Sequence, residues 1–378
     1  MLSSLTLSLL AATTAPSVND FGAVGNGIAD DTAAFQLALD SGGPITIPPG
    51  TYRITSTLHI RHSGTKLLGA GRGDRGSIID YRGSAGPVID NATKNTQTLL
   101  WCELSRLRIN ATSIGAGGQI VVDWRSMQFG QLDELWIFGP GAGWGINLDA
   151  VWTTTEATYN TLKDLYIGGV ALGIRFGDGA NSNLVLHGRI QIPVADGSAV
   201  LLAGTAVERV SNNVFVGLGL EYPGAISYGI NIGANVVGTV VLGGRFEALR
   251  AGIVVGPGAG RVYAPPESQY FSGCTHNFLI QSSSTVPTVA ASVSFDGRTA
   301  AVRGVSHGLR ASRNGVGNYV IVFDEPQASE AYAVLGTSSS FSLSIVSQQA
   351  SGFIVRTRAS SGAAEDATIV NLLVNGAP

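Results

Sequence analysis

The sequence predicts an all-β protein that consists of a solenoid of parallel strands followed by an antiparallel β-sandwich. Three observations support this fold class. Short apolar strands recur between positions 104 and 256, and 51 glycines occur together with only 13% charged residues. Five short strand patterns separated by turn residues fill the C-terminal segment. A chain with few charges and no helical period has to place its apolar residues in sheets with many turns.

The repeat is read from pairs of apolar strands. Copies such as Leu104–Asn110, Leu132–Phe138 and Leu162–Gly168 alternate apolar and polar residues, and a second apolar strand follows each after a glycine-rich turn. The first residues of these second strands are 26, 28, 26, 30 and 23 positions apart: Ile120, Ile146, Ile174, Val200, Ile230 and Ile253. Such a period with variable turns is typical of a solenoid, in which each copy packs only against its neighbours.

Composition excludes several functional classes. The net charge is −3, and no run of Lys and Arg forms a basic patch, so we expect no nucleic-acid partner. No stretch approaches the roughly 18 apolar residues that a membrane span needs, so we expect no membrane insertion. Cys102 and Cys274 are too few for a disulfide framework. Residues 1–17 lack the positive charge of a signal peptide and are interpreted as a leader or attachment segment.

The segment after residue 17 predicts a short helix at the start of the solenoid. Three glycines supply turn conformations before Asp30 and Asp31, whose carboxylates can accept hydrogen bonds from the first amides of a helix. Apolar residues then recur at helical spacing as far as Gly42: Ala34, Phe35, Ala38 and Leu39. A strand pattern begins at Ile45, so the helix is expected to end near Gly42.

This segment resembles the N-terminal signature of the pectate-lyase-like superfamily, in the form common in bacteriophage tailspikes and polysaccharide depolymerases. The shared pattern is matched at Asp20, Phe21, Gly22, Ala23, Asp30, Asp31, Thr32, Pro48, Gly50 and Tyr52, whereas Asn26 stands where Asp is frequent. The resemblance implies a right-handed parallel β-helix over 18–284, with a short N-terminal capping helix that protects its open end. It also implies that the aspartates of the motif are structural.

The C-terminal segment 285–378 follows a Ser- and Pro-containing linker and predicts the antiparallel β-sandwich. The run Arg313–Phe323 followed by Ala331–Val334 resembles the small C-terminal domains of phage tail fibres. This second resemblance implies a role in trimerisation or receptor contact.

Alignment of the repeats predicts one column of side chains that point outward from the solenoid. Its members are Arg108, Trp136, Tyr166, Gln191, Glu221 and Glu247. Equivalent residues on successive turns lie about 4.8 Å apart. Glu221 and Glu247 are therefore expected to be close enough for the two carboxyl groups of a retaining glycoside hydrolase, with one pKa raised by the other.

The remaining side chains of the column fit contacts with a sugar. Trp136 and Tyr166 can stack on sugar rings, while Gln191, Arg108 and Arg245 supply hydrogen bonds to the substrate. Asp123 and Asp149 form a second outward acidic pair on the neighbouring sheet. We expect no cofactor and no metal site. A polysaccharide lyase is the rival enzyme class, with Arg245 among its candidate bases.

The sequence is therefore interpreted as a phage tailspike or tail fibre that binds and depolymerises a bacterial capsule, exopolysaccharide or lipopolysaccharide glycan. The resemblance further implies a homotrimer on the virion, attached to the phage tail directly or through an adaptor protein. The alternatives are a non-enzymatic receptor-binding adhesin and a secreted bacterial enzyme of the same superfamily. Formation of reducing ends from a host polysaccharide distinguishes an enzyme from an adhesin.

Overall fold

The computed structural model describes most of the chain from residue 15 to residue 375. The described ranges are 15–280 without 85, 94–95, 112–119, 140, 142, 152–153, 206–208, 223–225 and 266–267, and 291–375 without 302–308, 324–332, 339–341, 360–362 and 368–369. Most of the predicted leader 1–17 and the predicted linker lie outside these ranges. Within them, no helix is long and apolar enough to cross a membrane.

The N-terminal cap consists of a 3₁₀ turn, Val18–Phe21, and an α-helix, Thr32–Ser41. Its core is the apolar helix face that the sequence predicts, with Phe35 and Leu39 fully buried. The buried Asp31 carboxylate accepts hydrogen bonds from the amides of Val24 and Gly25 at 2.7 and 3.1 Å. Asp30 accepts a hydrogen bond from the Thr32 amide at 3.1 Å. These aspartates therefore hold the turn and the start of the helix together.

The solenoid is a right-handed parallel β-helix, and its largest sheet has fifteen strands. We call this sheet the long sheet and divide it into two arms along each turn of the chain. The first arm contains the strands Pro44–Ile47, Lys66–Gly69, Glu103–Ser105, Gln131–Asp133 and Val240–Leu242. The second arm contains Asn26–Asp30, Gly50–Ile54, Ser77–Tyr81, Leu107–Asn110, Trp136–Phe138, Arg245–Glu247 and Tyr270–Ser272. Three strands run through both arms: Thr161–Gly168, Leu184–Gln191 and Val214–Glu221.

The two arms meet at a bend where one residue per turn adopts the left-handed conformation. In the three continuous strands these residues are Asp164, His187 and Gly217, with φ of 51°, 49° and 67°. The bend turns the chain without ending the strand. In these three strands the backbone therefore runs from one arm into the other, while the outer faces of the two arms lie on either side of a corner.

Two further sets of strands close the solenoid. The second sheet has nine strands: Leu58–Ile60, Ile89–Asn91, Ile120–Asp123, Trp144–Leu148, Leu172–Phe176, Ser198–Leu202, Tyr228–Ile232, Ala251–Val255 and His276–Ile280. The third set consists of short strands in two ladders: Leu99–Leu100 and Met127–Gln128, then Ala157–Thr158, Ala180–Asn181, Val210–Ser211 and Val236–Val237.

The solenoid interior contains an apolar core and a polar ladder. Five of the residues that define the repeat spacing, Ile146, Ile174, Val200, Ile230 and Ile253, pair in register and are fully buried. The first copy differs, because Val122 rather than Ile120 pairs with Ile146. The polar ladder consists of the buried amides of Asn160, Asn183 and Asn213, joined by side-chain hydrogen bonds of 2.9 and 3.0 Å. These amides connect successive turns from the inside.

The C-terminal part forms the predicted antiparallel sandwich. One sheet contains Ala291–Phe295, Val370–Asn375 and Ala333–Ser338, and the other contains Leu309–Arg313, Asn318–Phe323, Gly352–Arg358 and Ser342–Gln349. Its core is separate from that of the solenoid and contains side chains from both sheets, among them Phe295, Tyr319, Val355 and Leu372.

Candidate functional site

The second arm brings the two predicted glutamates together. Glu221 and Glu247 are register partners on adjacent parallel strands, as the alignment predicts. Both side chains lie on the outer face and are about one-fifth to one-quarter exposed, at 20% and 24%. The strands place the carboxyl groups side by side because inward positions Leu220 and Phe246 are fixed in the core on the opposite face.

Glu221 is surrounded by hydrogen-bond donors. Arg189 Nε donates to Glu221 Oε1 at 2.7 Å, and Gln191 Nε2 donates to the same oxygen at 2.9 Å. Burial raises the pKa of Glu221, but these donors, the positive charge of Arg189 and a hydrogen bond with Glu247 outweigh burial and place the pKa below its ordinary value. The direction of this shift favours the ionised form of Glu221, so the pKa of Glu221 is not the raised pKa expected for one carboxyl group of the pair.

Glu247 has its own arginine on the same strand. Arg245 Nη2 donates to Glu247 Oε1 at 2.8 Å, and its guanidinium lies 5.8 Å from the centre of the Tyr270 ring on the next turn. Tyr270 is 56% exposed and therefore presents a ring beside the acidic pair. The two glutamates are thus each ion-paired, and the cluster has no net charge when all four groups are ionised.

The predicted aromatic residues form the other end of the site. Trp136 and Tyr166 pack edge to face with their ring centres 5.1 Å apart, and the Arg108 guanidinium lies 4.7 Å from the centre of the Trp136 ring. The Tyr166 hydroxyl donates to Gln191 Oε1 at 2.6 Å. Since Gln191 in turn bonds Glu221, a chain of contacts connects the rings to the acidic pair.

The predicted outward column is wrong in one respect. Gln191 pairs with Gly168, and the register partner of Tyr166 is Arg189. The site therefore has two parallel columns in place of one. The first contains Arg108, Trp136, Tyr166, Arg189, Gly219, Arg245 and Tyr270, and the second contains Asn110, Phe138, Gly168, Gln191, Glu221, Glu247 and Ser272. A shift of two residues keeps every side chain on its predicted face.

Sequence reasoning missed two residues of this site. Arg189 is the main partner of Glu221, and it lies two positions before Gln191, on the outward face of the strand. Tyr270 belongs to the last turn of the long sheet, where the repeat is weakest in the sequence. The alternation of Arg189, Ile190 and Gln191 was the available signal for the first of them.

The second acidic pair is not adjacent. Asp123 is in register with Asn147, whose amide donates to Asp123 Oδ1 at 2.8 Å, and Asp149 lies two positions further along the chain. Asp123 is only 3% exposed. Asp149 accepts a hydrogen bond from Arg175 at 2.7 Å. Both acids are thus parts of an ion-paired, largely buried network. Among the described residues, no group of three His, Cys, Asp or Glu side chains is arranged to hold a metal ion.

The fold and the site together define the class of protein: a parallel β-solenoid with acidic and aromatic side chains on the outer face of one sheet. The chain belongs to the rhamnogalacturonase A/epimerase, pectate lyase-like family, whose model matches residues 15–217.

Similar proteins include phage components and carbohydrate enzymes. A pre-neck appendage protein of Bacillus phage phi29 is 39% identical over 70 residues, which are 18% of this chain and 8% of that protein. The mannuronan C5-epimerase AlgE2 of Azotobacter vinelandii is 40% identical over 70 residues, 15% of this chain and 7% of the epimerase. The aligned stretches therefore span less than a tenth of either relative.

The fold is also similar to that of a solved enzyme. A DFA-IIIase of Arthrobacter chlorophenolicus A6, in complex with DFA-III, superposes with a TM-score of 0.53 at 14% identity, over 66% of this chain and 65% of that one. At this identity the likeness concerns the fold alone.

Proposed function

We propose that the protein is a phage tail component that binds and depolymerises a bacterial surface polysaccharide by glycoside hydrolysis. The assignment to a phage tail rests on the resemblance of the N-terminal signature and on the match to the phage appendage protein. The assignment to a polysaccharide rests on the family and on the match to the mannuronan epimerase. The virion is then its location, and a capsule, exopolysaccharide or lipopolysaccharide glycan is its ligand.

The register contact between Glu221 and Glu247 carries the proposed chemistry. A retaining glycosidase needs two carboxyl groups about 5 to 5.5 Å apart, one ionised and one protonated. The lowered pKa of Glu221 suits the nucleophile, which attacks the anomeric carbon. Glu247 then protonates the departing glycosidic oxygen. Water subsequently releases the sugar from Glu221, and Glu247 takes up the proton of that water.

The columns beside the glutamates supply the proposed binding contacts. Trp136 and Tyr166 offer ring surface to sugar C–H groups, whose partial positive charge is attracted to the face of a π-system. Gln191, Arg108 and Arg245 offer donors to hydroxyl or carboxylate oxygens of the glycan. A polymer that lies along the axis meets one new side chain about every 4.8 Å.

A homotrimer is proposed from the outer face of the first arm. On its last three turns this face carries half-buried aliphatic side chains in two columns: Leu184, Val214 and Val240, then Leu186, Val216 and Leu242. Aliphatic residues in that number on an outward sheet face are typical of contacts between subunits. The C-terminal sandwich is proposed to hold the three chains together or to contact the host.

The first experiment treats a panel of purified bacterial capsular polysaccharides and lipopolysaccharides with the full chain. Hydrolysis predicts new reducing ends, whereas a lyase produces an ultraviolet-absorbing double bond instead. Glu221→Gln and Glu247→Gln should each lower hydrolysis by roughly 100-fold or more, because general acid-base groups contribute at least that factor. Gln131→Ala, on the outer face of the first arm, is the matched control. Full activity in either glutamine variant contradicts the proposed roles.

One observation favours a second candidate function, that of a binding protein without turnover. Both glutamates are engaged by arginines, Glu221 by Arg189 and Glu247 by Arg245, and such pairs also occur in sites that only bind. An adhesin predicts tight binding to one polysaccharide of the panel with neither reducing ends nor double bonds formed.

A further inference from the structure

A second set of aromatic residues lies on another part of the solenoid. One residue per turn, at the corner between the third set of strands and the first arm, has a left-handed backbone, with φ between 53° and 77°. Backbone hydrogen bonds place the members of this corner column one above the other. In order they are Gly64, Trp101, Phe129, Tyr159, Ser182, Asn212 and Gly238. Three successive members are therefore large aromatic residues.

Aromatic side chains are unfavourable choices at these three positions. The left-handed conformation strains any residue with a Cβ, and glycine and asparagine adopt it most easily, as they do at the ends of this column. The side chains of Trp101, Phe129 and Tyr159 are also 58%, 47% and 55% exposed, so the rings contribute little to the core. Neither backbone conformation nor core packing accounts for them, which points to a ligand.

The three rings form one stack, which we call the aromatic ladder: Trp101, Phe129 and Tyr159. The Trp101 and Phe129 rings have centres 6.2 Å apart and an interplanar angle of 19°, and the Phe129 and Tyr159 rings have centres 5.2 Å apart and an angle of 8°. Phe129 is thus covered on both faces. Trp101 and Tyr159 each keep one outer face, because the neighbouring positions are Gly64 and Ser182, which have no ring to cover it.

Polar side chains without charge run beside the ladder. Gln128 Nε2 donates to Thr158 Oγ1 at 2.8 Å, and the Asn181 amide oxygen accepts a hydrogen bond from the Ser211 hydroxyl at 2.9 Å. An acidic group also contacts this row, since Gln128 Nε2 donates to a carboxylate oxygen of Glu156 at 2.7 Å. Open ring faces beside amides and hydroxyls match a pyranose, which has an apolar C–H face and a rim of hydroxyl groups.

A second copy of the chain fits the ladder less well. A stable contact between subunits needs about 800 Å² from each partner, and the ladder is a single row of three side chains. The adjacent first-arm positions are polar, namely Glu103, which is paired with Lys66 at 3.1 Å, then Gln131 and Thr161. The aliphatic columns of the same arm occur only on later turns.

We propose that the aromatic ladder is a second carbohydrate site, which binds sugar rings against the open faces of Trp101 and Tyr159. It lies at the corner between the third set of strands and the first arm, on earlier turns than the acidic pair, which lies on the outer face of the second arm. The proposal rests on the proposed function for the class of ligand, a carbohydrate, but it does not require that the protein cleave it. A glycan held at both sites is anchored at two points, which raises the time it remains bound.

The test uses the full chain with 5-fluorotryptophan at its five tryptophans and reads each by ¹⁹F NMR. The probes are the methyl glycosides of glucose, galactose, mannose, rhamnose and glucuronic acid. We expect at least one of them to shift the Trp101 resonance saturably, while the buried Trp124 stays unchanged as an internal reference. Phe129→Ala removes the ring that supports Trp101 and should weaken this response roughly fivefold to tenfold.

The exposed Tyr263, 47% accessible and outside the ladder, provides the matched control, since Tyr263→Ala should leave the response intact. A Trp101 resonance that none of the five glycosides moves overturns the proposal. It is also overturned if Trp101→Ala with Tyr159→Ala changes the sedimentation coefficient, because the ladder is then a contact between copies. Failure of the proposed function shows separately, as an unmoved Trp136 resonance and an absence of reducing ends.

Discussion

The two arms of the long sheet share three strands and one core, yet their outer faces differ. On the last turns the first arm presents aliphatic side chains outward, such as Leu186 and Val216, while the second arm presents Arg189, Glu221 and Glu247. The corner between them is one left-handed residue per turn. The difference shows that the core determines the backbone of both arms and leaves the outer positions available for different tasks.

The largest expected effect concerns the aliphatic face of the first arm. Leu186→Lys combined with Val216→Lys should convert the proposed trimer to monomers, because each subunit would bring two unpaired charges into the contact. Sedimentation velocity measures the change. Thr161→Lys, on an earlier turn of the same arm, should leave the assembly intact. A double variant that sediments like the unaltered protein places the contact elsewhere.

A change on the inner face should affect both arms together. Asn183→Ala removes a buried amide that bonds Asn160, Asn213 and the carbonyl of Ala157. We expect a loss of about 3 kcal/mol in the free energy of unfolding, since several buried polar groups lose their partners. Denaturant or thermal unfolding measures it. Gln131→Ala on the outer face should change stability by less than about 0.5 kcal/mol. Equal effects of the two variants would contradict the role of the polar ladder in connecting successive turns.

The ion pair between Arg189 and Glu221 on the second arm should control the titration of Glu221. Arg189→Met removes the main donor to Glu221, so the pKa of Glu221 should rise toward or above its ordinary value of 4.5. Because that pKa is lowered in the folded protein, the stability from this pair is present above the unfolded value and is lost as pH falls through the folded one. Carboxyl ¹³C NMR measures the titration directly. Lys163→Met, on the first arm, should leave it unchanged.

The smallest effect is expected at the corner itself. His187→Gly replaces an exposed side chain at φ 49° and should stabilise the protein by about 0.5 kcal/mol, as relief of left-handed strain exceeds the entropy of glycine. The reverse change, Gly217→Ala, should destabilise it, because the added Cβ would lie 2.6 Å from His187 Cδ2. Thermal unfolding compares the two. A destabilised His187→Gly variant shows that the imidazole contributes contacts of its own.

The sequence was sufficient for the fold class, for the helix of the cap and for the pairing of Glu221 with Glu247. At one turn of the outward column the sequence was insufficient to give the register, for a definite reason. The inward position opposite Leu165 is occupied by Gly188, so an alignment that seeks a large apolar residue moves to Ile190. The face of each side chain was still correct, since a shift of two residues preserves it.

The alignment of the repeats could not predict contacts between long side chains. The hydrogen bond between Arg189 and Glu221 joins different columns of adjacent turns. It depends on the conformation of each side chain, which the alignment does not give. The aromatic ladder was missed because its members lie in turns, one residue each, outside the alternating strands from which the repeat was read. Left-handed corners have no apolar period to reveal them.

The polar ladder of Asn160, Asn183 and Asn213 also has a mechanical consequence. Its amides bond from turn to turn along the long axis, in the same direction as the backbone hydrogen bonds of the sheets. A pulling force along that axis therefore loads the interior amides and the sheet hydrogen bonds of one turn at the same time, so that they must break together. The solenoid should extend little under tension until a whole turn separates.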